Sequence, residues 1–462
     1  MPNKKPETKL LGKGTYGCVY TPPLFDNTHK GKINNTQVSK IQENNAETKN
    51  EVEIGKKVAA IPNYSFFFGP LLDSHQINIS QINDNDLEQC DVVQNNLQKE
   101  FVSNTMDYIG NETLADYFNK SLIETKNNPS KMKTFITKLI SIHLYLLESV
   151  HLLNKNGIIH NDIKSNNIMY HESNKVFVLI DFGLSVKSEN LDFTNYKTNK
   201  NKPFGIVAKC YKPWCMDIQI LTFVARIVQP LNNEKTGYAP INEAKWEEKI
   251  NRSDAIEMKR LVKDFLENNT LFSSKKLFPT KDLTEFSSKY NAMISSWESE
   301  KKTWKDIWIQ LQARKNTWDA YSINAMMLTF MENTNMVSFL DYKTKELPTK
   351  PKKVQEQLQD TIKMTFTGSS NDLQTVHFFK QYILWLKESI VAIPSERPTS
   401  LKCKETITTL FRRITKSSFK QLEEFMYNTI TTPTNVEKSI KAQEKNKLAE
   451  IINEKNLRKQ HP

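Results

Sequence analysis

The chain has 462 residues, of which 38% are hydrophobic and 25% are charged, so it carries enough apolar surface to fold and is not a disordered polymer. It contains no run of about 18 consecutive apolar residues and no apolar leader peptide, which argues against a membrane span and against secretion. The formal charge of +12 favours anionic partners, but charge alone gives no support for nucleic acid over other anions.

The cysteines indicate the redox environment of the protein. Five are scattered along the chain without a CxxC pair: Cys18, Cys90, Cys210, Cys215 and Cys403. An odd number without paired spacing argues against a disulfide framework and against a zinc site. We therefore expect a reducing compartment and an intracellular, cytoplasmic protein.

The first predicted element is a pair of strands joined by a turn, in the segment LLGKGTYGCVYTPPL. Gly12, Gly14 and Gly17 are three of only 12 glycines in the chain, and each lets the backbone approach a ligand closely. The GxGxxG spacing suits either a dinucleotide-binding fold or a hairpin that covers phosphate groups. Two prolines follow at once and prevent a helix from starting there, which favours the hairpin.

Strands and helices alternate in the following residues. A short strand is predicted from Gln37 to Ile41, and a helix from Glu47 to Ala60. Residues 73–100 are rich in Asn, Gln and Asp and read as irregular, and FVSNTMDYIG, which follows them, reads as a strand running into a connector.

A long helix is predicted from Lys131 to Asn154, because apolar residues recur there at three- and four-residue steps. It leads into GIIHNDIKSNNIM and then into VFVLIDFGLSV, a strand that enters a loop. The residues that can carry chemistry are concentrated between Gly157 and Gly183.

Further helices are predicted in the second half of the chain. Residues 216–229 form one of them, and Trp297, Trp304 and Trp308 are expected on one face of another, as a core stripe. The segments TWDAYSINAMMLTFM and HFFKQYILWLKESIVAI read as buried helices, followed by an amphipathic segment up to about Lys416.

Two short motifs resemble the active-site loops of a known family. HNDIKSNN from His160 to Asn167 and DFG from Asp181 to Gly183 resemble the catalytic and metal-binding loops of eukaryotic-type serine/threonine protein kinases. Asp162 precedes Asn167 by five residues and Asp181 by nineteen, the spacing of the HRDLxxxN and DFG elements in that family. The resemblance implies an α+β fold with two lobes, a small β-rich N-lobe and a larger helical C-lobe with a long helical insertion.

The resemblance implies ATP and Mg²⁺ as cofactors and Ser/Thr hydroxyls of proteins as phosphate acceptors. Asp162 would orient the hydroxyl and accept its proton, and Asn167 and Asp181 would offer the oxygen ligands that Mg²⁺ prefers. Lys164 would offset negative charge on the transferred phosphoryl group.

The nucleotide site is implied by the same resemblance. Lys40 in QVSKI matches the strand lysine of VAIK and would hold the phosphates, itself held by a helix glutamate. Glu51 is preferred for that glutamate over Glu53 and Glu47 because of the apolar spacing that follows it. The other nucleotide-binding residues implied are Gly12, Lys13, Gly14, Gly17, Val19, the gatekeeper Met106 and, in the hinge from Asp107 to Ile109, Tyr108.

Two later motifs extend the resemblance to residues 317–415. Asp319 in DAYSIN resembles the aspartate of the central C-lobe helix, which binds the backbone of the catalytic loop, and Asp217 in MDIQIL is its rival. Arg397 in PSERPT resembles the arginine that pairs with the glutamate of an APE motif, but no APE motif is present in the chain.

The loop after DFG departs from the family. Asn161 replaces the arginine that receives a phosphate from this loop, so activity need not depend on that phosphorylation. Thr194, Tyr196 and Thr198 are candidate phosphorylation sites, but without that arginine they read more simply as ordinary loop residues.

The motifs divide the chain into five predicted segments. They are an N-lobe at 1–106, the first part of the C-lobe at 107–214, an insertion at 215–316, the rest of the C-lobe at 317–415, and a charged helix or tail at 416–462. The insertion is long enough to fold as its own helical unit, where it could bind a protein partner or buttress the lobe. Its size and the Asn/Lys-rich composition resemble kinases of large DNA viruses, which would place the protein in the host cytoplasm or in the virion.

Three functions compete on this basis. The first is an active serine/threonine protein kinase, because Lys40, Asp162, Asn167 and Asp181 are all present. The second is a catalytically weak or inactive kinase-fold scaffold that binds a partner through the insertion. The third is a phosphotransferase for small molecules or lipids, which usually lacks a glycine loop together with DFG.

Overall fold

The structure is a computed structural model with two lobes, a β-sheet region followed by a mainly helical region. It describes residues 8–14, 17–26, 36–82, 87–128, 131–198, 204, 208, 210–233, 237–238, 242–334, 336–341 and 372–415. The charged segment predicted at 416–462 lies outside the described residues.

A five-stranded antiparallel sheet forms the N-terminal lobe. Its strands are β1 (Lys9–Gly14), β2 (Gly17–Thr21), β3 (Gln37–Glu43), β5 (Asp73–Ile77) and β6 (Phe101–Asp107), in the spatial order β1-β2-β3-β6-β5. The glycine-containing hairpin and the strand around Lys40 are therefore found where the residue pattern predicted them. Val19 lies opposite Lys40 in the register of β2 and β3, so the hairpin and the lysine strand are neighbours in the sheet.

Helix α1 (Ala46–Ala59) packs against this sheet. Asn45 caps its start, where the side-chain oxygen accepts a hydrogen bond from the Thr48 amide at 2.9 Å. Ile54 and Val58 are fully buried one turn apart and fix the rotation of the helix about its axis. A Cβ at Gly55 would clash with the Leu71 backbone, so the glycine lets the chain before β5 approach the helix closely.

Residues 73–100 are more ordered than their composition predicts. They contain the strand β5 and a short helix, α2 (Asp91–Gln94). Cys90, directly before α2, forms a disulfide with Cys18 of β2. The prediction that the cysteines form no disulfide was wrong, because residues 72 positions apart are joined by tertiary structure that local spacing does not reveal. The cysteine pattern is therefore no argument for a reducing compartment.

The centre of the molecule consists of two helices and two small sheets. The helices are α3 (Leu114–Asn127) and α4 (Met132–Lys155), and the strands are β4 (Phe68–Gly69), β7 (Ile158–Ile159), β8 (Ile168–His171), β9 (Val176–Ile180) and β10 (Val186–Lys187). One sheet has the order β4-β9-β8, and β10 pairs with β7. The two motif loops connect these strands and are thereby held at the boundary between the lobes.

Helix α4 is the long helix that the apolar periodicity predicts. Its segment Thr134–Lys155 is long and apolar enough to cross a membrane: an 18-residue stretch of it has a mean hydropathy of 1.3, and 72% of that stretch is buried inside the protein. A central core helix passes this test as readily as a membrane helix does, so the length and composition of α4 decide nothing about a membrane.

The residues between the DFG loop and the last third of the chain form mainly helices. They are α5 (Phe193–Thr198), α6 (Met216–Val228), α7 (Glu243–Glu247), α8 (Arg252–Asn268), α9 (Thr280–Ser299) and α10 (Trp304–Gln312), with a small β11–β12 hairpin (Leu231–Asn233 and Gly237–Tyr238). The buried side chains of α6 to α10 belong to the same hydrophobic cluster as those of α4. The described part of the insertion is thus continuous with the core of the C-lobe.

The three tryptophans of this region lie on two helices instead of one. Trp297 lies in the last turn of α9, and Trp304 and Trp308 lie on α10. Lys301 adopts a positive φ of 56°, and Thr303 forms a capping box that starts the second helix. The single-helix prediction was therefore wrong, because a local cap interrupts a pattern whose apolar spacing continues. All three side chains are at most 1% exposed, as a core stripe predicts.

Three further helices complete the lobe: α11 (Trp318–Asn333), α12 (Asp372–Val391) and α13 (Ser400–Thr415). Nearly every residue of α11 is buried. His143 of α4 joins α11 and α12, with its ring nitrogens 2.9 Å from the Asn324 amide oxygen and 2.6 Å from the Tyr382 hydroxyl. Helix α11 is therefore a rigid base under the loops that carry the motifs.

Candidate active site

Lys40 forms a contact between the two lobes. Its Nζ lies 3.0 Å from Oε1 of Glu51 on α1 and 3.4 Å from Oδ1 of Asp181 in the DFG loop. Glu51 is thus the helix glutamate that meets Lys40, as predicted. Glu53 points to Lys187, and no Lys40 contact involves Glu47 among the described hydrogen bonds and ion pairs.

Mutual electrostatics keep Lys40 and Asp181 charged. Burial by itself would lower the pKa of Lys40, but the negative charges of Glu51 and Asp181 outweigh it and raise that pKa above the usual 10.5. Burial would likewise raise the pKa of Asp181, yet the Lys40 ammonium and other positive charge lower it below 3.8. A positive charge and a carboxylate are therefore both available in the cleft at neutral pH.

A buried amide pair behind Glu51 was missed by the sequence reasoning. Gln42 donates a hydrogen bond of 3.0 Å to Oε2 of Glu51, and Asn104 of β6 donates one of 2.7 Å to Gln42. Both amide side chains are buried, so Glu51 is oriented by Lys40 on one side and by Gln42 on the other. The available signal was strand periodicity, since Gln42 is two residues after Lys40 and faces the same side of β3.

The three glycines of the hairpin have different surroundings. A Cβ at Gly17 would clash with the carbonyl group of Ile41 and with the Gln42 side chain, whereas a Cβ at Gly12 would meet nothing within 4 Å. Gly17 is therefore required for packing on β3. Gly12 borders open space, where a ligand can approach the backbone, and a Cβ at Gly14 would make only an ordinary contact of 3.6 Å with the Gly17 carbonyl oxygen. Lys13 is exposed on β1.

The predicted hinge lies at the end of β6. Met106 pairs with Val38 across the sheet, and the Tyr108 amide donates a hydrogen bond of 2.8 Å to the carbonyl oxygen of Thr36. Both Met106 and Tyr108 are half-buried. They lie on the chain that crosses from the sheet to α3, the place where a nucleotide between the lobes would meet the backbone.

The catalytic-loop residues are held together by short polar contacts. Asn167 donates a hydrogen bond of 2.8 Å to Oδ2 of Asp162 and one of 3.0 Å to its carbonyl oxygen. Lys164 Nζ lies 3.2 Å and 3.1 Å from the two carboxylate oxygens of Asp162. The carboxylate is thus fixed by an amide and an ammonium group, and it lies near enough to Asp181 for their charges to interact.

Burial tunes the acidity of this carboxylate. It raises the pKa of Asp162 from 3.8 to about 6, although Lys164 and Asn167 act in the opposite direction. A carboxylate with a raised pKa that still ionises below pH 7 has the property required of a general base.

Asp319 of α11 binds the backbone of the catalytic loop. Its two carboxylate oxygens accept hydrogen bonds of 2.8 Å from the backbone amides of His160 and Asn161. Asp319, and not Asp217, is therefore the aspartate that binds the catalytic loop. Asn161 has a positive φ of 61°, a conformation that costs energy in a non-glycine residue and is tolerated here because both neighbouring amides are fixed.

The DFG loop is packed against the catalytic loop through its phenylalanine. The ring of Phe182 is buried and lies 4.9 Å from the ring of His160 and 6.3 Å from that of Phe68. Asp181 has a positive φ of 62°, which turns its carboxylate towards Lys40. Strained backbone conformations in both motif loops are typical of functional sites.

Comparison with known proteins agrees with this geometry. Residues 6–201 match the protein kinase domain. The match includes the glycine hairpin, the Lys40 strand, the catalytic loop and DFG, and it ends before α6. The two-lobed α+β structure is accordingly a bilobal protein kinase fold.

A second comparison points to the same kind of protein. Over 109 residues the chain is 36% identical to a serine/threonine-protein kinase-like protein of Arabidopsis thaliana. The similar stretch covers 23% of this chain and 28% of that relative, so the chain spans little more than a quarter of the curated protein it matches. Both comparisons support a protein kinase.

The donor atoms of the kinase domain suit a metal that is shared with a nucleotide. Among the described residues no group of three or more His, Cys, Asp and Glu side chains could hold a metal ion. Asn167 uses its amide nitrogen on Asp162, which leaves its oxygen as an acceptor, and Asp181 adds a carboxylate. Two oxygen donors fit Mg²⁺, which commonly completes its coordination with water and substrate phosphates.

The segment YKPW from Tyr211 to Trp214 was not assigned a role by the sequence reasoning. The Tyr211 hydroxyl lies 3.3 Å from Lys164 Nζ, whose charge is 5.7 Å from the centre of the Tyr211 ring. Trp214 donates a hydrogen bond of 2.8 Å to the carbonyl oxygen of Asn161. The YKPW segment therefore contacts the catalytic loop directly.

Arg397 has its partner in α6. It forms a two-pronged ion pair with Asp217 at 2.8 Å and 3.0 Å, and both side chains are buried. The Tyr290 hydroxyl of α9 lies 3.0 Å from the same guanidinium. Asp217 was considered from the sequence only as a rival of Asp319. In the structure it is the acidic partner of Arg397, the task that the glutamate of an APE motif was expected to have.

Proposed function

We propose that the chain is an active protein kinase that transfers the γ-phosphate of ATP to Ser/Thr hydroxyls of proteins. The observation that carries the proposal is the contact of Lys40 with both Glu51 and Asp181. Phosphoryl transfer depends mainly on positioning and charge neutralisation, and this contact sets the phosphate-binding lysine and the metal-binding aspartate beside each other.

Each residue has a separate task in the proposed reaction. Lys40 binds the α- and β-phosphates, and Glu51 keeps its ammonium in place. Asp162 accepts the proton of the acceptor hydroxyl as its oxygen attacks the γ-phosphorus, and the bond from that phosphorus to the ADP oxygen breaks. Lys164 offsets charge on the moving phosphoryl group and keeps Asp162 ionised at neutral pH.

Asn167 and Asp181 would hold Mg²⁺ through their side-chain oxygens. When bound, this ion neutralises charge on the β- and γ-phosphates. The residues implied for the nucleotide are the hairpin glycines Gly12, Gly14 and Gly17 and, at the connection between the lobes, Met106 and Tyr108.

The decisive experiment is transfer of labelled phosphate from ATP with Mg²⁺ to generic protein acceptors. Wild type should produce phosphoserine and phosphothreonine, identified by mass spectrometry, and Asp162→Asn should lower the rate by about a hundredfold or more, the usual range for loss of a positioned base. Asp73→Asn is the matched control, because it removes an exposed carboxylate on the edge strand β5.

A stability measurement separates loss of chemistry from loss of fold. Burial raises the pKa of Asp162, which means that the fold disfavours its charge, so Asp162→Asn should not lower the free energy of unfolding at pH 7. If neither protein transfers phosphate while ATP still raises the melting temperature, the kinase proposal fails and the scaffold hypothesis takes its place. Phosphotyrosine as the main product would refute the Ser/Thr assignment.

The substrate, the compartment and a viral origin remain predictions from the residue pattern. The same holds for a protein partner of residues 215–316. No described feature favours the scaffold function as a second candidate, since the helices of that region share their core with the rest of the lobe.

A further inference from the structure

One face of helix α1 lies against the chain that follows DFG. Asn50 donates a hydrogen bond of 3.1 Å to the carbonyl oxygen of Ser185, Glu53 forms an ion pair with Lys187, and Lys57 lies 3.1 Å from Glu189. The three helix residues are spaced by three and four positions and therefore share a face. It is the helix that also carries Glu51.

The three contacts differ in solvent exposure and therefore in how strongly they can hold α1. Lys57 and Glu189 are 44% and 60% exposed, and such a surface pair contributes little. Lys187 is only 11% exposed, whereas Glu53 is 56% exposed, so the ammonium is largely shielded from water while its carboxylate partner faces solvent. The Glu53–Lys187 pair is therefore the less exposed of the two ion pairs across this face, and it lies beside the Asn50 hydrogen bond.

The chain after DFG is also fixed on the side away from α1. Lys187 pairs with Ile158 in the β10–β7 ladder, and the Ser188 amide donates a hydrogen bond of 2.7 Å to the Gly157 carbonyl oxygen. Farther on, Trp308 of α10 donates one of 2.8 Å to the carbonyl oxygen of Leu191. The segment thus forms a rigid base against which α1 can be held.

The three contacts described above, Asn50–Ser185, Glu53–Lys187 and Lys57–Glu189, involve none of the candidate phosphorylation sites. Tyr196 is buried, and its ring lies 4.2 Å from that of Trp308, so its hydroxyl is not open to a kinase. Thr194 is exposed, and the side chain of Thr198 lies outside the described residues. Asn161 stands where the family has a phosphate-binding arginine, and its backbone carbonyl oxygen accepts the hydrogen bond from Trp214.

We propose that Glu53 and Lys187 are positioning residues that hold α1, and with it Glu51, against Lys40 without any phosphate on the activation segment. The proposal rests on the proposed kinase function. An ion pair within the protein takes the place of a phosphate contact, and Trp308 of helix α10 anchors the segment that carries Lys187 through its hydrogen bond to Leu191. The kinase would then be active as synthesised.

The test breaks the pair and restores it with the charges exchanged. In the full chain, Glu53→Gln and Lys187→Met should each lower kcat/KM on the order of tenfold, a size typical of coupling between contacting residues. The double variant Glu53→Lys with Lys187→Glu should recover most of the loss. Glu148→Gln is the matched control, because it breaks a half-buried ion pair with Lys404 on α4 and α13.

A second readout does not require activity. Amide hydrogen exchange of α1 should be faster in both single variants than in wild type and should return towards wild type in the exchanged double variant. Treatment of wild type with a phosphatase should leave kcat/KM unchanged.

The outcomes separate the two proposals. An inactive wild type refutes the kinase function, and the exchange data then decide the positioning role alone. If α1 exchanges equally in all variants, or if the single variants keep full activity in an active enzyme, the positioning role is refuted. A large loss of activity after phosphatase treatment would refute independence from phosphate.

Discussion

Asp162 shows at the scale of a single residue how burial prepares a group for chemistry. Its carboxylate is 4% exposed, and its pKa of about 6 is the net result of burial, which favours the neutral acid, and Lys164, which favours the ion. The same environment that makes the carboxylate a better base also limits the pH range in which it is ionised.

We therefore expect kcat/KM to fall about tenfold per pH unit below pH 6, since the free enzyme must carry Asp162 deprotonated. The activity is retained above this pKa and lost as pH falls through it. Lys164→Met removes the nearest positive charge, which should raise the pKa of Asp162. The acid side of the pH profile of kcat/KM should therefore move to higher pH. If the fall in kcat/KM occurs at the same pH in this variant as in wild type, Asp162 is ruled out as the titrating group.

Helix α6 shows at the scale of an element how a replaced motif keeps its structural task. The first turn of α6 presents Asp217 to Arg397, and Tyr290 of α9 completes the cluster. All three side chains are buried. The ion pair therefore fixes the end of the activation segment to the loop before α13.

Breaking this pair should be costly, because the remaining charge is left buried without a partner. Arg397→Met should lower the free energy of unfolding by about 3–5 kcal/mol, measured by urea denaturation. Replacing Asp217 by Leu in the same chain should recover part of the loss. For comparison, Lys402→Ala breaks an exposed pair with Glu405 and should change stability by less than about 1 kcal/mol; equal effects of the two single variants would contradict the assignment.

The whole molecule is organised around one large apolar cluster that runs from α1 through α4 to α13. The insertion helices add four of its largest members: Trp246, Trp297, Trp304 and Trp308. A smaller cluster lies in the N-terminal sheet around Cys18 and Ile41. The insertion cannot be removed without exposing the inner face of the lobe.

This organisation predicts that the insertion and the lobe unfold together. Trp308→Ala should lower the free energy of unfolding by about 3–5 kcal/mol and shift the C-lobe and insertion signals by the same amount in hydrogen exchange. Ile309→Ala, on the same helix but 41% exposed, should have a small effect. Melting of the insertion at a lower temperature than α11 in either variant would show two separate units.

The residues of the candidate site were predictable where they occur in short runs. Asp162, Lys164 and Asn167 lie within six consecutive positions, and Asp181 to Gly183 are adjacent, so local backbone geometry brings their side chains together. The glycine hairpin, the Lys40 strand and the long helix α4 follow from turn chemistry and from apolar periodicity, which act over a few residues. These parts of the fold required no knowledge of distant contacts.

Tertiary structure alone decided which distant residues meet. The disulfide of Cys18 with Cys90, the pair of Asp217 with Arg397, and the position of Gln42 behind Glu51 each depend on how sheets and helices pack. The break between α9 and α10 depends on the cap at Thr303, which the apolar spacing does not reveal because it continues across the break. Apolar periodicity indicates which side of a helix or strand is buried. Which residues it meets on that side is set by the packing of the whole chain, because the long-range contacts form together.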